Sequence, residues 1–204
     1  MKADAAKAAH DAIVKAGINF VACLPDSTFQ ELYLPVSADP RVTYIQVASE
    51  NDGVGVCMGA WLGGLKPALL VENTGFALGI YALLRGPMAF GIPMILLISH
   101  RGELGDERWF SVPFGWGTKP LLDSMRITHR SVDKTEDVQD AILSAAKSMN
   151  SIQAPVAILF AGKLARDFLA KGRGHRVGDL ITLQDNPAPA IAQAGFRMGA
   201  GLGL

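Results

Sequence analysis

Short apolar runs, four to seven residues long, alternate along this chain with longer stretches whose apolar positions recur every three or four residues. That alternation of period predicts strands interleaved with helices. Ala3–Lys15 is predicted as an amphipathic helix stopped by Gly17, and Asn19–Leu24 as a strand. Pro25-Asp26-Ser27 breaks that strand and opens a helix running through Phe29, Leu32 and Tyr33. Val42–Val47 is rich in β-branched and aromatic residues and reads as the second strand. After it, Ser49 is a predicted N-cap with Asp52 three residues on.

The helix so started is intrinsically poor. Gly53, Gly55, Gly59, Gly63 and Gly64 each cost about 1 kcal/mol relative to alanine in a helix interior. Small residues at that spacing admit a neighbouring backbone or a flat ligand, with Val54, Met58, Trp61 and Leu62 supplying apolar contacts. Ala68–Glu72 is the next predicted strand, closed by Asn73-Thr74-Gly75 and followed by a helix over about Ala77–Met88. Pro93–Ser99 is a continuous apolar run, as expected of a central parallel strand covered on both faces. From His100 to Pro120 no period is evident, which predicts a long functional loop. A strand at Ile127–Val132, a helix from Thr135 to Met149 and a strand at Val156–Phe160 complete the pattern. The expected fold is α/β: a mostly parallel sheet flanked by helices on both faces. Residues 1–165 form the expected domain, and 166–204, a mixture of Gly, Ala, Pro and scattered polar residues, a partly ordered C-terminal extension.

Composition sharpens this in one respect and excludes in others. Of the 204 residues, 50% are hydrophobic and 19% charged, enough to fill a sizeable core. Lys plus Arg and Asp plus Glu number 19 each, so there is no electrostatic footprint for nucleic acid or for an anionic membrane. Cys23 and Cys57, without CxxC spacing, read as buried thiols in a reducing cytoplasm. The charged N-terminus does not have the pattern of a signal peptide, and the apolar stretch at Phe90–Ile98 is too short to span a bilayer. A cytosolic location is expected.

Candidate chemistry concentrates where strands end. Glu50 falls in the first turn of the glycine-studded helix, at the carboxyl end of a strand, where open α/β sheets place their ligands. The alternative is an ordinary first-turn glutamate favoured by the helix dipole. Arg101, with His100 just past the central strand, suits an acidic substrate because a guanidinium pairs bidentately with carboxylate, sulfonate or phosphonate. The alternative is a surface arginine bridging Glu103 or Asp106. Ser27, just past a strand end, is placed to cap the following helix. The spacing Gly53-x-Gly55-x-x-x-Gly59, with Glu72 about 20 residues on, also admits an NAD(P)-binding protein.

Taken in order, Glu50 with its small-residue helix, the Asn73-Thr74-Gly75 turn and the Ser99-His100-Arg101-Gly102-Glu103 stretch resemble the pyrimidine-binding domain of thiamine-diphosphate enzymes. More narrowly, residues 3–161 resemble the alpha subunit of the sulfopyruvate decarboxylases and the matching half of the phosphonopyruvate decarboxylases. The resemblance implies a carboxy-lyase acting on an acidic 2-oxo acid. In it Glu50 hydrogen-bonds the aminopyrimidine ring and promotes its imino tautomer, and Asn73, Thr74 and Gly75 line the cofactor. Ser27, His100 and Arg101 meet the substrate. Thiamine diphosphate and Mg2+ are the implied cofactors, both held mainly by a diphosphate-domain beta subunit in a hetero-oligomer, and no metal ligand is expected in this chain. The diphosphate domain carries Gly-Asp-Gly, to which Gly178-Asp179-Leu180 is the nearest string here, without the second glycine. Gly75-Phe76-Ala77-Leu78 departs from the family's glycine-rich turn, which ends in asparagine, and so admits a subunit that keeps the fold without the chemistry.

Overall fold

The computed structural model describes residues 1–104, 106, 108–161 and 164. The expected 166–204 extension and the Gly178-Asp179-Leu180 string lie outside the described residues. Six strands form one all-parallel sheet: β1 (Phe20–Cys23), β2 (Thr43–Gln46), β3 (Pro67–Glu72), β4 (Ile95–Ser99), β5 (Thr128–Val132) and β6 (Val156–Phe160), in the order β2-β1-β3-β4-β6-β5. The connecting helices are α1 (Ala3–Lys15), α2 (Gln30–Ala38), α3 (Glu50–Leu62), α4 (Asn73–Phe76), α5 (Ile80–Leu83), α6 (Val112–Ser124) and α7 (Thr135–Ile152).

Neighbouring residues of the central strands feed opposite cores. Val21, Leu70, Leu97 and Ile158 pack with α1, α2 and α7 on one face. Ala22, Leu69, Leu96 and Ala157 pack with α3, α5 and α6 on the other. Side chains alternate across a strand, so a strand covered on both faces has to be apolar at every position; β4, Ile-Leu-Leu-Ile-Ser, is buried throughout. In α7 the buried Val138, Ala141, Ile142, Ala145 and Met149 recur at the helical period.

Chain direction fixes where a ligand can go. From β1 the chain leaves through α2 to the outer neighbour β2, then crosses back through α3 to β3 on the other side of β1. Helices therefore depart to opposite faces at the β1/β3 boundary, and a crevice opens at the carboxyl ends of these strands.

Two segments differ from the pattern reading. His100–Pro120, expected to be a loop, contains a 3-10 turn at Trp109–Ser111 and most of α6. Pro113, Gly115, Gly117 and Pro120 hide the period, yet Pro is tolerated in a first turn, and burial of Thr118 and Leu122 outweighs the poor propensity. The expected single helix over Ala77–Met88 begins instead at Asn73 and is broken into α4, α5 and a π-turn at Leu84–Met88. Gly86 of that turn abuts Met58 of α3, which leaves no room for a side chain there.

Candidate functional site

The ends of β1, β2, β3 and β4 contribute the polar groups of the site. Ser49 caps α3, its Oγ accepting from Asp52 N at 3.1 Å, which places Glu50 in the first turn. The Glu50 side chain is nevertheless buried, and no described residue hydrogen-bonds or ion-pairs with its carboxylate. The reason it can lie there is Gly75, in the turn after β3. A Cβ at that position would collide with the Glu50 carboxylate and lie 2.7 Å from its Cγ. A largely buried carboxylate without a partner is costly, and an ordinary first-turn glutamate extended into solvent would not lie against Gly75 so.

Asn73, the first residue after β3, is buried and fully engaged. Its Nδ2 donates to the Arg101 carbonyl at 2.9 Å and to Thr118 Oγ1 at 3.1 Å, and its Oδ1 accepts from Arg101 N at 3.1 Å. Its amide therefore joins the ends of β3 and β4 to α6, and its side chain has little left to offer a ligand. Thr74 is half-buried between Asn73 and Gly75.

Arg101 is buried, not a surface arginine. Its Nη2 donates to Ser27 Oγ at 2.9 Å, and its Nε has no hydrogen-bond partner. The nearest acid is Glu72, whose Oε1 stands 3.8 Å from that Nε. Glu103 and Asp106 are occupied elsewhere. Glu103 meets His100 Nδ1 at 3.1 Å, and Asp106 accepts from the backbone N–H groups of Gly102 and Arg108. His100 is buried with its Nε2 unpartnered.

Ser27 is not the helix cap. Helix α2 starts at Gln30 with Phe29 at its N-cap and no side-chain cap; Asp26 instead braces the bend before it, its Oδ1 accepting from Thr28 N and Phe29 N, while its Oδ2 accepts from Ser99 Oγ at 3.1 Å across the crevice. Ser27 is thus free to face Arg101. Sequence reasoning had Asp26 and Ser99 within the segments that carry the resemblance but gave neither a role, missed Thr118, and weighed Glu72 only as part of the nicotinamide spacing. Burial, opposed by Arg101, pushes the Glu72 carboxyl above its usual range.

The nicotinamide alternative fails on geometry. Gly53, Gly55 and Gly59 lie inside α3, beyond its cap, not in a strand-to-helix turn that could cradle a pyrophosphate. Gly53 serves packing, since a Cβ there would come within 2.6 Å of Leu69 Cδ1, whereas Gly55 and Gly59 face open space. Among the described residues no group of three or more His, Cys, Asp or Glu side chains could hold a metal ion, and no helix is long and apolar enough to cross a membrane. Cys23 and Cys57 are free and buried, with burial pushing their thiols up to about 11 and about 12.

Comparison with known proteins bears on the family and the fold. No protein-family model matches the chain. It is 33% identical over 156 residues to sulfopyruvate decarboxylase subunit alpha of Methanococcus maripaludis, covering 76% of this chain and 93% of that one. The Methanocaldococcus jannaschii subunit alpha is 31% identical over 153 residues, covering 75% and 90%. Phosphonopyruvate decarboxylase of Streptomyces viridochromogenes is 27% identical over 146 residues, 70% of this chain but 36% of that one. Among solved structures, 2-oxoglutarate:ferredoxin oxidoreductase from Magnetococcus marinus superposes with a TM-score of 0.61 at 20% identity over 81% of this chain. A Mycobacterium smegmatis protein assigned as thiamin diphosphate-dependent superposes with a TM-score of 0.60 at 18% identity over 79%. The chain spans 29% and 31% of those two solved chains, so they speak for the fold alone. With near full-length coverage of the two archaeal subunits, the chain belongs to the family of sulfopyruvate decarboxylase alpha subunits.

Proposed function

We propose that this chain is the pyrimidine-domain subunit of a thiamine-diphosphate-dependent decarboxylase that acts on a 2-oxo acid bearing a second acidic group, sulfopyruvate or 3-phosphonopyruvate. The observation that carries the reading is the buried, unpartnered Glu50 carboxylate with Gly75 cleared beneath it. An enclosed carboxyl group lacking a protein partner fits a ligand that supplies a ring nitrogen to share its proton, and the aminopyrimidine of thiamine is such a ligand.

The chain's own residues then divide the work. Glu50 holds or releases a proton at Oε1 or Oε2, its carboxylate set against Gly75 between α3 and α4. Thr74 and the backbone of Asn73 and Gly75 line the ring's edge, and the Asn73 side chain positions Arg101. The bound cofactor supplies the electron sink that accepts the pair released as carbon dioxide departs. Arg101, oriented by Ser27, receives the substrate's second anionic group through its free Nε–H, and His100 borders the same crevice.

Mg2+ and the diphosphate are assigned to a beta subunit, and the assembly to a hetero-oligomer in the cytoplasm. The relatives' designation as subunit alpha supports a partner. So do the large apolar side chains standing in solvent beside the site, Leu78 and Tyr81, each about 70% exposed. Leu78 stands where the family's turn has asparagine, and its exposure makes it a contact for a partner and leaves Glu50 untouched. The test is reconstitution: chain, candidate beta subunit, thiamine diphosphate, Mg2+ and a panel of 2-oxo acids, followed by carbon dioxide release. Sulfopyruvate or phosphonopyruvate is expected to be cleaved fastest, and no release across the panel would refute the decarboxylase reading.

A further inference from the structure

Glu72 ends β3 in register with Ser99, which ends β4, so both face the crevice mouth. Its carboxylate forms a loose ion pair with Arg101 Nε at 3.8 Å, too far for a hydrogen bond, and Nε is left without a hydrogen-bond partner although the Arg101 side chain is only 10% exposed. Glu72 is the more open of the two, at 26%. The charged groups acting on it are Asp26 from the end of β1 and Arg101, Asp106 and Arg108 from the segment after β4. A buried guanidinium N–H that its nearest acid fails to engage is an open donor, and an anion arriving there enters the field of the Glu72 carboxylate. Two anions at one half-desolvated guanidinium repel strongly unless one of them is neutralised.

We infer that Glu72 determines which charge state of substrate Arg101 accepts. A substrate's second anionic group takes the Arg101 Nε–H as Glu72 takes a proton from solvent, so dianionic 2-oxo acids bind with uptake of one proton and monoanionic ones do not. The inference rests on the functional reading above and deepens it. Glu72 here is a specificity-determining residue and takes no part in bond breaking. Burial already favours its protonated form, so Glu72 takes up the proton more readily than a solvated glutamate does.

The test has two arms. In the first, the reconstituted enzyme is assayed with sulfopyruvate and with pyruvate between about pH 6 and 9. KM for sulfopyruvate is expected to climb with pH, while KM for pyruvate stays level. Glu72→Gln should lower KM for sulfopyruvate by about tenfold at neutral pH, the effect of removing one like charge from a partly desolvated site, and should abolish its climb with pH. A variant that leaves the sulfopyruvate-to-pyruvate ratio and its pH dependence unchanged, or that shifts both substrates equally, overturns the inference. In the second arm, the full chain without partner is titrated while the Arg101 15Nε resonance is followed. The resonance should move with pH in the wild-type chain and stay still in Glu72→Gln; a still wild-type signal overturns the inference alone. An assembled wild-type enzyme that cleaves no 2-oxo acid while Nε titrates as expected overturns the functional reading, and the substrate half of this inference with it.

Discussion

Gly75→Ala is expected to separate stability from activity. The added methyl would overlap the Glu50 carboxylate and lie 2.7 Å from its Cγ, so one of the two has to move. The α3 backbone cannot yield, because Ser49 pins its first turn. The far end of the Glu50 side chain can, by rotating toward the crevice. Such a rotation costs the fold little, about 1 kcal/mol or less, the lower end of what overpacking costs in a core. Its functional cost is larger. A methyl displaces the carboxylate by about 1 Å or more, and misplacement on that scale costs on the order of 100-fold in rate. The assay pairs thermal unfolding of the purified chain with decarboxylation by the reconstituted enzyme. Glu50→Gln alone is expected to lower turnover by roughly 100- to 10,000-fold, the span of general acid–base contributions. Because both changes act on one carboxylate, the double variant should be no slower than Glu50→Gln. A Gly75→Ala enzyme of near-normal rate, or losses that multiply in the double variant, would refute the placement of Glu50 against Gly75 as the working arrangement.

Other substitutions read different parts of the site. Arg101→Ala should raise KM for sulfopyruvate far more than for pyruvate, and equal effects on both would argue against contact with the second anion. Asn73→Ala removes three hydrogen bonds and strands the buried Arg101 N–H, a loss of about 2–4 kcal/mol visible in denaturant unfolding. Gly102 has φ of 82°, and a Cβ there would lie 2.7 Å from the Ser111 carbonyl carbon; Gly102→Ala therefore meets rigid backbone and should destabilise by about 2 kcal/mol or more, unlike Gly75→Ala. Asp39, hydrogen-bonded by Arg41 and His10, has its carboxyl held well below the usual range chiefly by the Arg41 side chain. The stability it contributes is complete above the ordinary carboxylate pKa and is lost as pH falls below it. Asp39→Asn should flatten that acid limb in unfolding curves.

Strand and helix content could be read because most elements carry their own signal. The Ser49 cap, the buried Ile-Leu-Leu-Ile run of β4 and the period of α7 are local features, and each element formed where those features stand. Helix α6 carries no such signal. Its glycines allow the close approach of Gly115 to the Arg101 and Gly102 carbonyl oxygens, a reason that exists only once the chain is folded. The site was legible to the same extent. Glu50 meets Gly75 and Arg101 meets Ser27 because the parallel sheet puts its strand ends along one edge. The engagement of the Asn73 amide by the Arg101 backbone, and the loose approach of Glu72 to Arg101 Nε, join residues 28 and 29 positions apart, and no periodicity encodes them.

The Asn73 amide works as a rivet between two strand ends and a helix, and with it in place the arginine's backbone has no freedom left to surrender. The entropy of ordering that stretch is settled once, when the chain folds, and not again at each encounter with a ligand. What the inference above leaves adjustable in the crevice is the proton on Glu72, a form of adaptation that moves almost no mass.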